Sequence, residues 1–171
     1  MSIWYDGRFI PCWNKKHYEN LDWTFIKTFG VNPSFDQYNN ERYEHVIGND
    51  AYFLPNKMPE FVDKILTNDL FKNYKIKTPG FHRLRPGMIL PLHKDPYTMF
   101  RKIYNIDSPD NIVRYIIFLE QSKKGHMLQI EDEVITNYDS GDCFFWKGET
   151  EHAAFNLGTE DRFTLQITCH E

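Results

Sequence analysis

From residue 79 onward, apolar and polar residues alternate in short runs cut by turn residues, the period expected of half-buried strands. Residues 81–85 alternate, Pro86-Gly87 interrupts them, and 88–93 resume the pattern. Residues 113–119 form a continuous apolar and aromatic run suited to a strand covered on both faces. Runs 126–130 and 134–138 flank the acidic turn Glu131-Asp132-Glu133, and Asp139-Ser140-Gly141-Asp142 is a strong turn signal before 143–146. The last run, 162–169, places Arg162, Thr164, Gln166 and Thr168 on one face and Phe163, Leu165 and Ile167 on the other. This succession predicts a mainly β protein with flanking helices, its strands forming a double-sheet sandwich or jelly roll.

Before residue 79 the pattern differs. Residues 59–72 predict a helix, with Pro59 at its first position, Glu60 at the positive end of the dipole, and Phe61, Val62, Ile65, Leu66 and Leu70 on one apolar face. A weaker helical stretch is read over 21–29. The chain is read as a single domain over 1–171, in which a helical or irregular part, 1–78, packs on a β core, 79–171. The long connection 98–111 is expected to act as a lid or substrate loop.

Composition narrows the class. Hydrophobic residues make up 41% and charged residues 26%, as in a folded soluble domain. The 16% aromatic share, 14 Phe, 10 Tyr and 4 Trp, favours strands and pocket walls. A formal charge of −4 offers no general attraction for nucleic acid. Cys12, Cys143 and Cys169 are too dispersed for a compact metal motif and read as reduced thiols of a cytoplasmic protein. The first eleven residues lack the apolar stretch of a signal peptide, and no apolar run approaches the ~20 residues of a membrane helix.

The candidate chemistry begins at His93-Lys94-Asp95, at the end of a predicted strand. Residues i and i+2 of an extended chain project to the same side, so His93 and Asp95 can reach one metal ion. His152 follows the 143–146 strand and a short loop. Two imidazoles and a carboxylate on one face of an ion leave three positions open, which suits Fe(II) with a chelating oxoacid and O2. The absence of thiolates argues against a structural zinc site. Arg162, opening the last strand, can clamp a carboxylate through two parallel hydrogen bonds, and the Thr164 hydroxyl on the same face can add a third. Singly these signals are weak: His-x-Asp recurs by chance, and an Arg at a strand start is usually a solvated charge. Their joint arrangement on a β-sandwich pattern is what carries the reading.

Residues 81–170 resemble the double-stranded β-helix core, jelly-roll and cupin-like, of the 2-oxoglutarate/Fe(II) dioxygenase superfamily. Within it they are most similar to the aspartyl/asparaginyl β-hydroxylase-like branch. The resemblance rests on Arg83-Leu84-Arg85-Pro86-Gly87 leading to Pro91-Leu92-His93, on Arg114 opening the next strand, and on Gly141-Asp142-Cys143-Phe144-Phe145. It continues through His152-Ala153-Ala154-Phe155-Asn156 to Arg162. It implies a hydroxylase using Fe(II), 2-oxoglutarate and O2, with His93 and His152 on iron and Arg162 on the oxoacid. Two positions depart from the branch: Asp95 is a carboxylate the branch often lacks, and Ile116 stands where the branch tends to carry His.

Arg114 and Asn156 are further candidates for the oxoacid, and Arg83, Arg85, Tyr97 and Trp146 for the substrate. The bland readings are an ion-paired sheet surface for the arginines, packing for the aromatics and a turn role for Asn156. His17, His45, His82, His126 and His170 fit no ligand spacing. The expected substrate is a peptide side chain or a small amino-acid-like molecule. A nucleic-acid demethylase is disfavoured by Thr168, where such enzymes carry a second Arg, and a prolyl hydroxylase by Arg162, where that group carries Lys. A non-catalytic cupin-like module holding a metal or ligand is the alternative from another class.

Overall fold

The computed structural model describes residues 3–28, 32–38, 43–54 and 57–171. Among the described residues eleven strands run in the order β1 (Tyr5–Arg8), β2 (Thr24–Lys27), β3 (Gly48–Tyr52), β4 (Ile76–Leu84), β5 (Ile89–His93), β6 (Val113–Phe118), β7 (His126–Ile130), β8 (Glu133–Ile135), β9 (Asp142–Lys147), β10 (His152–Asn156) and β11 (Arg162–His170). Two short α-helices are described, α1 (Glu60–Leu66) and α2 (Thr98–Tyr104). Neither these nor any other described helix is long and apolar enough to cross a membrane.

The strands form two antiparallel sheets: a seven-stranded one in the order β1-β9-β6-β11-β4-β3-β2, and a four-stranded one in the order β5-β10-β7-β8. This is the mainly β, two-sheet jelly-roll arrangement that the alternation predicted. β11 occupies the middle of the large sheet, so both of its faces are covered and its period-2 pattern sorts side chains between two environments. Phe163, Leu165 and Ile167 join Tyr115 and Ile117 in a core on the outer face, closed by Phe61, Val62 and Ile65 of α1. Ile116, Phe118, Leu128, Ile130 and Trp146 fill part of the space between the sheets. The row Arg162, Thr164, Gln166 and Thr168 also faces that inter-sheet space.

Several expectations about the first half change. The segment 21–29 contains strand β2, paired with β3, rather than a helix; residue 29 lies outside the described residues. β1, β2 and β3 all belong to the large sheet, so the N-terminal part supplies strands to it as well as packing on it. The 59–72 helix is shorter: α1 ends at Leu66, and Asn68 caps a separate 3-10 turn, Asp69–Phe71. Pro59 caps α1 at ψ 141° and does not open it. Pro79-Gly80 lies inside β4 rather than before it. Pro79 is tolerated there because β3 pairs with β4 only at Phe81, His82 and Arg83, so its missing N–H costs nothing on that edge. Gly80 leaves room for the Phe53 ring, which lies where a Cβ would be. Residues 98–111 begin with α2 before continuing as loop.

Candidate metal and carboxylate site

His93 closes β5 and His152 opens β10, and the two stand directly opposite in the ladder between these strands. Asp95 follows two residues after His93, in the extended stretch leaving β5. One ligand atom from each of His93, Asp95 and His152 lies within 4.8 Å of the others. Both histidine Nε2 atoms lie 3.7 Å from Asp95 oxygens, and the imidazole centroids are 4.2 Å apart.

The tautomers follow from the backbone. His93 Nδ1 is 2.7 Å from the Pro91 carbonyl and His152 Nδ1 is 2.9 Å from the Thr150 carbonyl. A carbonyl only accepts, so each Nδ1 carries the hydrogen and each Nε2 turns a lone pair towards Asp95. Burial lowers the pKa of both imidazoles, His152 to about 4, with the His93 charge adding to the effect there. Burial alone would raise Asp95, but Arg114 and the neighbouring imidazoles outweigh it and hold the carboxyl at about 2. The three groups are therefore deprotonated at neutral pH, as metal ligands must be.

Arg114 Nη2 lies 3.3 Å from Asp95 Oδ2, and its Nη1 donates to Gln166 Oε1 at 2.7 Å. Tyr97 and Trp146 are buried on the same side. Arg114 stacks on the Tyr97 ring at 5.2 Å, and Trp146 lies 4.4 Å from the His152 ring. The N-terminal segment supports the triad from outside. Asn32 Nδ2 donates to the Lys94 carbonyl at 2.8 Å, between the two members of the His-x-Asp pair, and Phe35 packs on His93 at 4.5 Å.

A cavity adjoins this constellation, lined at its polar end by Arg162, Thr164, His82 and Asn49 and walled by Leu90 and Ala154. It is closed down to ≈ 20 Å³, room for about one water, so a larger occupant enters only as the lining side chains give way. Arg162 is 3% exposed, with its Nε and Nη2 buried and without hydrogen-bond partners, and no carboxylate of the described residues pairs with it. The ring of Phe118, 5.2 Å away, offers a cation–π contact and the Tyr138 hydroxyl a neutral polar partner, but neither is an anion. Burial pulls the guanidinium pKa down, yet its ordinary value is so high that it stays charged. A buried cation without an anion is costly, and a bidentate carboxylate would satisfy it.

Other expected contacts are not made. Asn156 is fully buried, its amide donating to the Leu84 and Glu160 carbonyls while its Oδ1 accepts from the Gly158 N–H. It clamps the turn after β10 and has no hydrogen left for an oxoacid. Arg83 and Arg85 both bind Asp50, at 2.7 and 3.1 Å, and stack on Trp23 and Phe25. Arg83 stands opposite Phe163, whose side chain is in the outer core. Alternation correctly puts the two arginines together, but away from the cavity. His82, Asn49 and the second-layer residues Asn32 and Phe35 had no sequence signal, since their partners lie on distant strands. Gln166 did have one, in the alternation of β11.

Acid should weaken the fold in a defined window. His82 is held at about 3 by burial and the Arg114 charge, and His152 at about 4. Both lie below the 6.5 of a free imidazole, so below pH 6.5 the unfolded chain takes up protons the folded chain refuses. The free energy of unfolding of the metal-free protein is expected to fall between pH 6.5 and about 4, by up to about 1.4 kcal/mol per pH unit for each imidazole. Asp95 acts in the same sense only lower down, its contribution being lost as pH drops towards 2. Urea unfolding at pH 7 and pH 5 checks this, and equal stability at the two would contradict the buried neutral histidines.

Among solved structures, the chain is similar in fold to KdgF from Halomonas sp., with a TM-score of 0.46, 10% identity, and 90% of this chain and 92% of that one covered. A predicted oxalate decarboxylase from Thermotoga maritima matches with a TM-score of 0.44 at 13% identity, over 72% of this chain and 82% of that one. A cupin domain from Bordetella pertussis matches with a TM-score of 0.39 at 11% identity, over 57% and 90%. No curated protein sequence matches. The family model of aspartyl/asparaginyl beta-hydroxylase matches residues 39–171, which span most of the chain and include the His93, Asp95 and His152 cluster and Arg162. The chain belongs to the aspartyl/asparaginyl beta-hydroxylase family.

Proposed function

We propose that this protein is an Fe(II)- and 2-oxoglutarate-dependent oxygenase that hydroxylates a C–H bond of a peptide side chain or a small amino-acid-like substrate. The observation that carries the reading is Arg162, a buried guanidinium with unpaired donors, set in the inter-sheet space that also holds a His-Asp-His cluster. Iron and the oxoacid, when bound, would supply the oxidation, in which one O2 and one oxoacid yield succinate, CO2 and the hydroxylated product.

The chain's own residues bind, orient and exclude water. His93, Asp95 and His152 would hold the metal on one face, their Nδ1–H bonds to backbone fixing the rings. Arg114 restrains one Asp95 oxygen. Arg162 and Thr164 would receive the far carboxylate of the oxoacid, and Leu90 and Ala154 would flank its methylene groups. Burial raises the Tyr97 phenol, so it remains a hydrogen-bond donor beside the metal face. Exposed Met99 and Ile103 on α2, the helix that Tyr97 caps, would give a peptide an apolar rim to rest on. The free thiols of Cys12, Cys143 and Cys169 suit a reducing, cytoplasmic setting.

Anaerobic titration of the metal-free protein with Fe(II) and 2-oxoglutarate tests the proposal. A visible charge-transfer band that needs both components, and that disappears in His93→Ala, is the expected result. Iron binding without that band would favour a metal-holding module over an oxygenase.

A further inference from the structure

We infer that Gln166 is a positioning residue for the metal cluster: through Arg114 it holds the Asp95 carboxylate in place beside the two imidazoles. The inference rests on the metal reading of His93, Asp95 and His152 and does not depend on the oxoacid.

Asp95 needs such a hold. It lies past the end of β5, where no ladder fixes the chain. Among the described residues its ion-pair partners are the two candidate ligand histidines and Arg114. Its Oδ1 faces His93 Nε2, whereas Oδ2 lies 3.7 Å from His152 Nε2 and 3.3 Å from Arg114 Nη2. Arg114 thus engages one oxygen and leaves the lone pairs of Oδ1 to an ion.

Arg114 is itself steered by Gln166. Alternation along β11 puts Gln166 on the inner face, opposite Ile116 of β6, and Arg114 stands opposite Thr168, one diagonal step away. Arg114 Nη1 donates to Gln166 Oε1 at 2.7 Å, the Tyr97 ring covers the guanidinium, and Nε is buried without a partner. The guanidinium is a rigid planar fork, so fixing Nη1 also fixes the direction of Nη2 and its contact with Asp95. It carries hydrogens and no acceptor, so the Gln166 atom facing it is the amide oxygen. Gln166 also lines the cavity. A glutamate could accept as well but would set a second negative charge between the sheets. The amide holds Arg114 without neutralising it and leaves its charge to Asp95. The competing account is a hydrogen bond that only satisfies Arg114, with Asp95 held by its own chain.

The test is Fe(II) affinity, read by anaerobic competition with a coloured chelator, together with the visible d–d spectrum of the Co(II)-loaded protein. Wild type, Gln166→Met and Gln166→Glu are compared. Methionine keeps the length of the side chain but offers the guanidinium no oxygen. Disturbing the group that orients a ligand costs about 10- to 100-fold in metal affinity. Gln166→Met acts one step further out and should lose about ten-fold, with an altered Co(II) spectrum. Gln166→Glu keeps an acceptor and should return both readouts to within a few-fold of wild type. In an Arg114→Met background the Gln166→Met change should cost nothing further, because its route to Asp95 is gone. Unchanged Fe(II) affinity and Co(II) spectrum in Gln166→Met would overturn the inference and leave the metal site standing. Equal losses in Gln166→Met and Gln166→Glu would overturn it too, since they mark a packing defect. A wild-type chain that binds neither ion would overturn the metal reading itself, and the inference with it.

Discussion

Replacing Arg162 by methionine is expected to abolish 2-oxoglutarate binding and, at the same time, to make the metal-free protein more stable. The guanidinium is buried against Phe118 with two nitrogens unpaired. Taking such a charge out of water costs several kcal/mol, and exchanging buried charges for apolar side chains of similar size has stabilised other proteins by about 1–4 kcal/mol. The stack on Phe118 offsets part of that cost, so a gain of about 1–3 kcal/mol in the free energy of unfolding is expected. Binding should suffer in the opposite sense, because the bidentate contact is lost with the charge, by at least about a hundred-fold in affinity. Denaturant unfolding without ligand gives the first quantity and anaerobic titration the second. With saturating oxoacid the order of stabilities should reverse, since only the wild type gains from mass action. A destabilised Arg162→Met would show that Phe118 and the Tyr138 hydroxyl already offset the buried charge within the folded chain, and the anion-site reading would fall.

His152→Ala should cost more in metal binding than any change outside the ligand set. Disturbing a residue that only orients a ligand typically lowers metal affinity by about 10- to 100-fold. Removing one of three ligands should exceed that range. The imidazole lies between Trp146 and His93, at ring distances of 4.4 and 4.2 Å, so truncation also leaves a void beside Trp146. Circular dichroism and unfolding of the metal-free variant separate that packing loss from ligation. The expected result is a folded protein in which Fe(II) no longer raises the melting temperature, whereas Fe(II) does so for the wild type. Fe(II) affinity within ten-fold of wild type would remove His152 from the ligand set.

The β core and the His93–Asp95 pair were legible in sequence because both depend on local geometry, whereas His152, which meets them only across the β5–β10 ladder, was reached through the motif as a whole. An i, i+2 pair on an extended chain and a strict alternation over 162–169 leave few arrangements open, and β11 in mid-sheet keeps both. What stayed hidden depends on distant partners. β3 reads Gly-Asn-Asp-Ala-Tyr, a loop-like composition, yet all five residues are buried, and Asn49 and Asp50 satisfy their polar groups on His82, Arg83 and Arg85. β10 opens with His-Ala-Ala, which carries no strand signal. β2 contains a Phe-Ile pair that fits a helical face as well as a strand. For Arg83 and Arg85, alternation establishes that they share a side, but only the pairing with β11 decides which side that is.

Both candidate ligand histidines anchor Nδ1 on a carbonyl two residues earlier in their own chain, and they face each other across one rung of the β5–β10 ladder. A slip of one residue in that ladder turns one imidazole to the far side of the sheet. The ion would thus proofread strand pairing: only correctly registered molecules offer it both nitrogens. Metal retained through a chelator wash should accordingly mark the properly assembled fraction of a refolded sample.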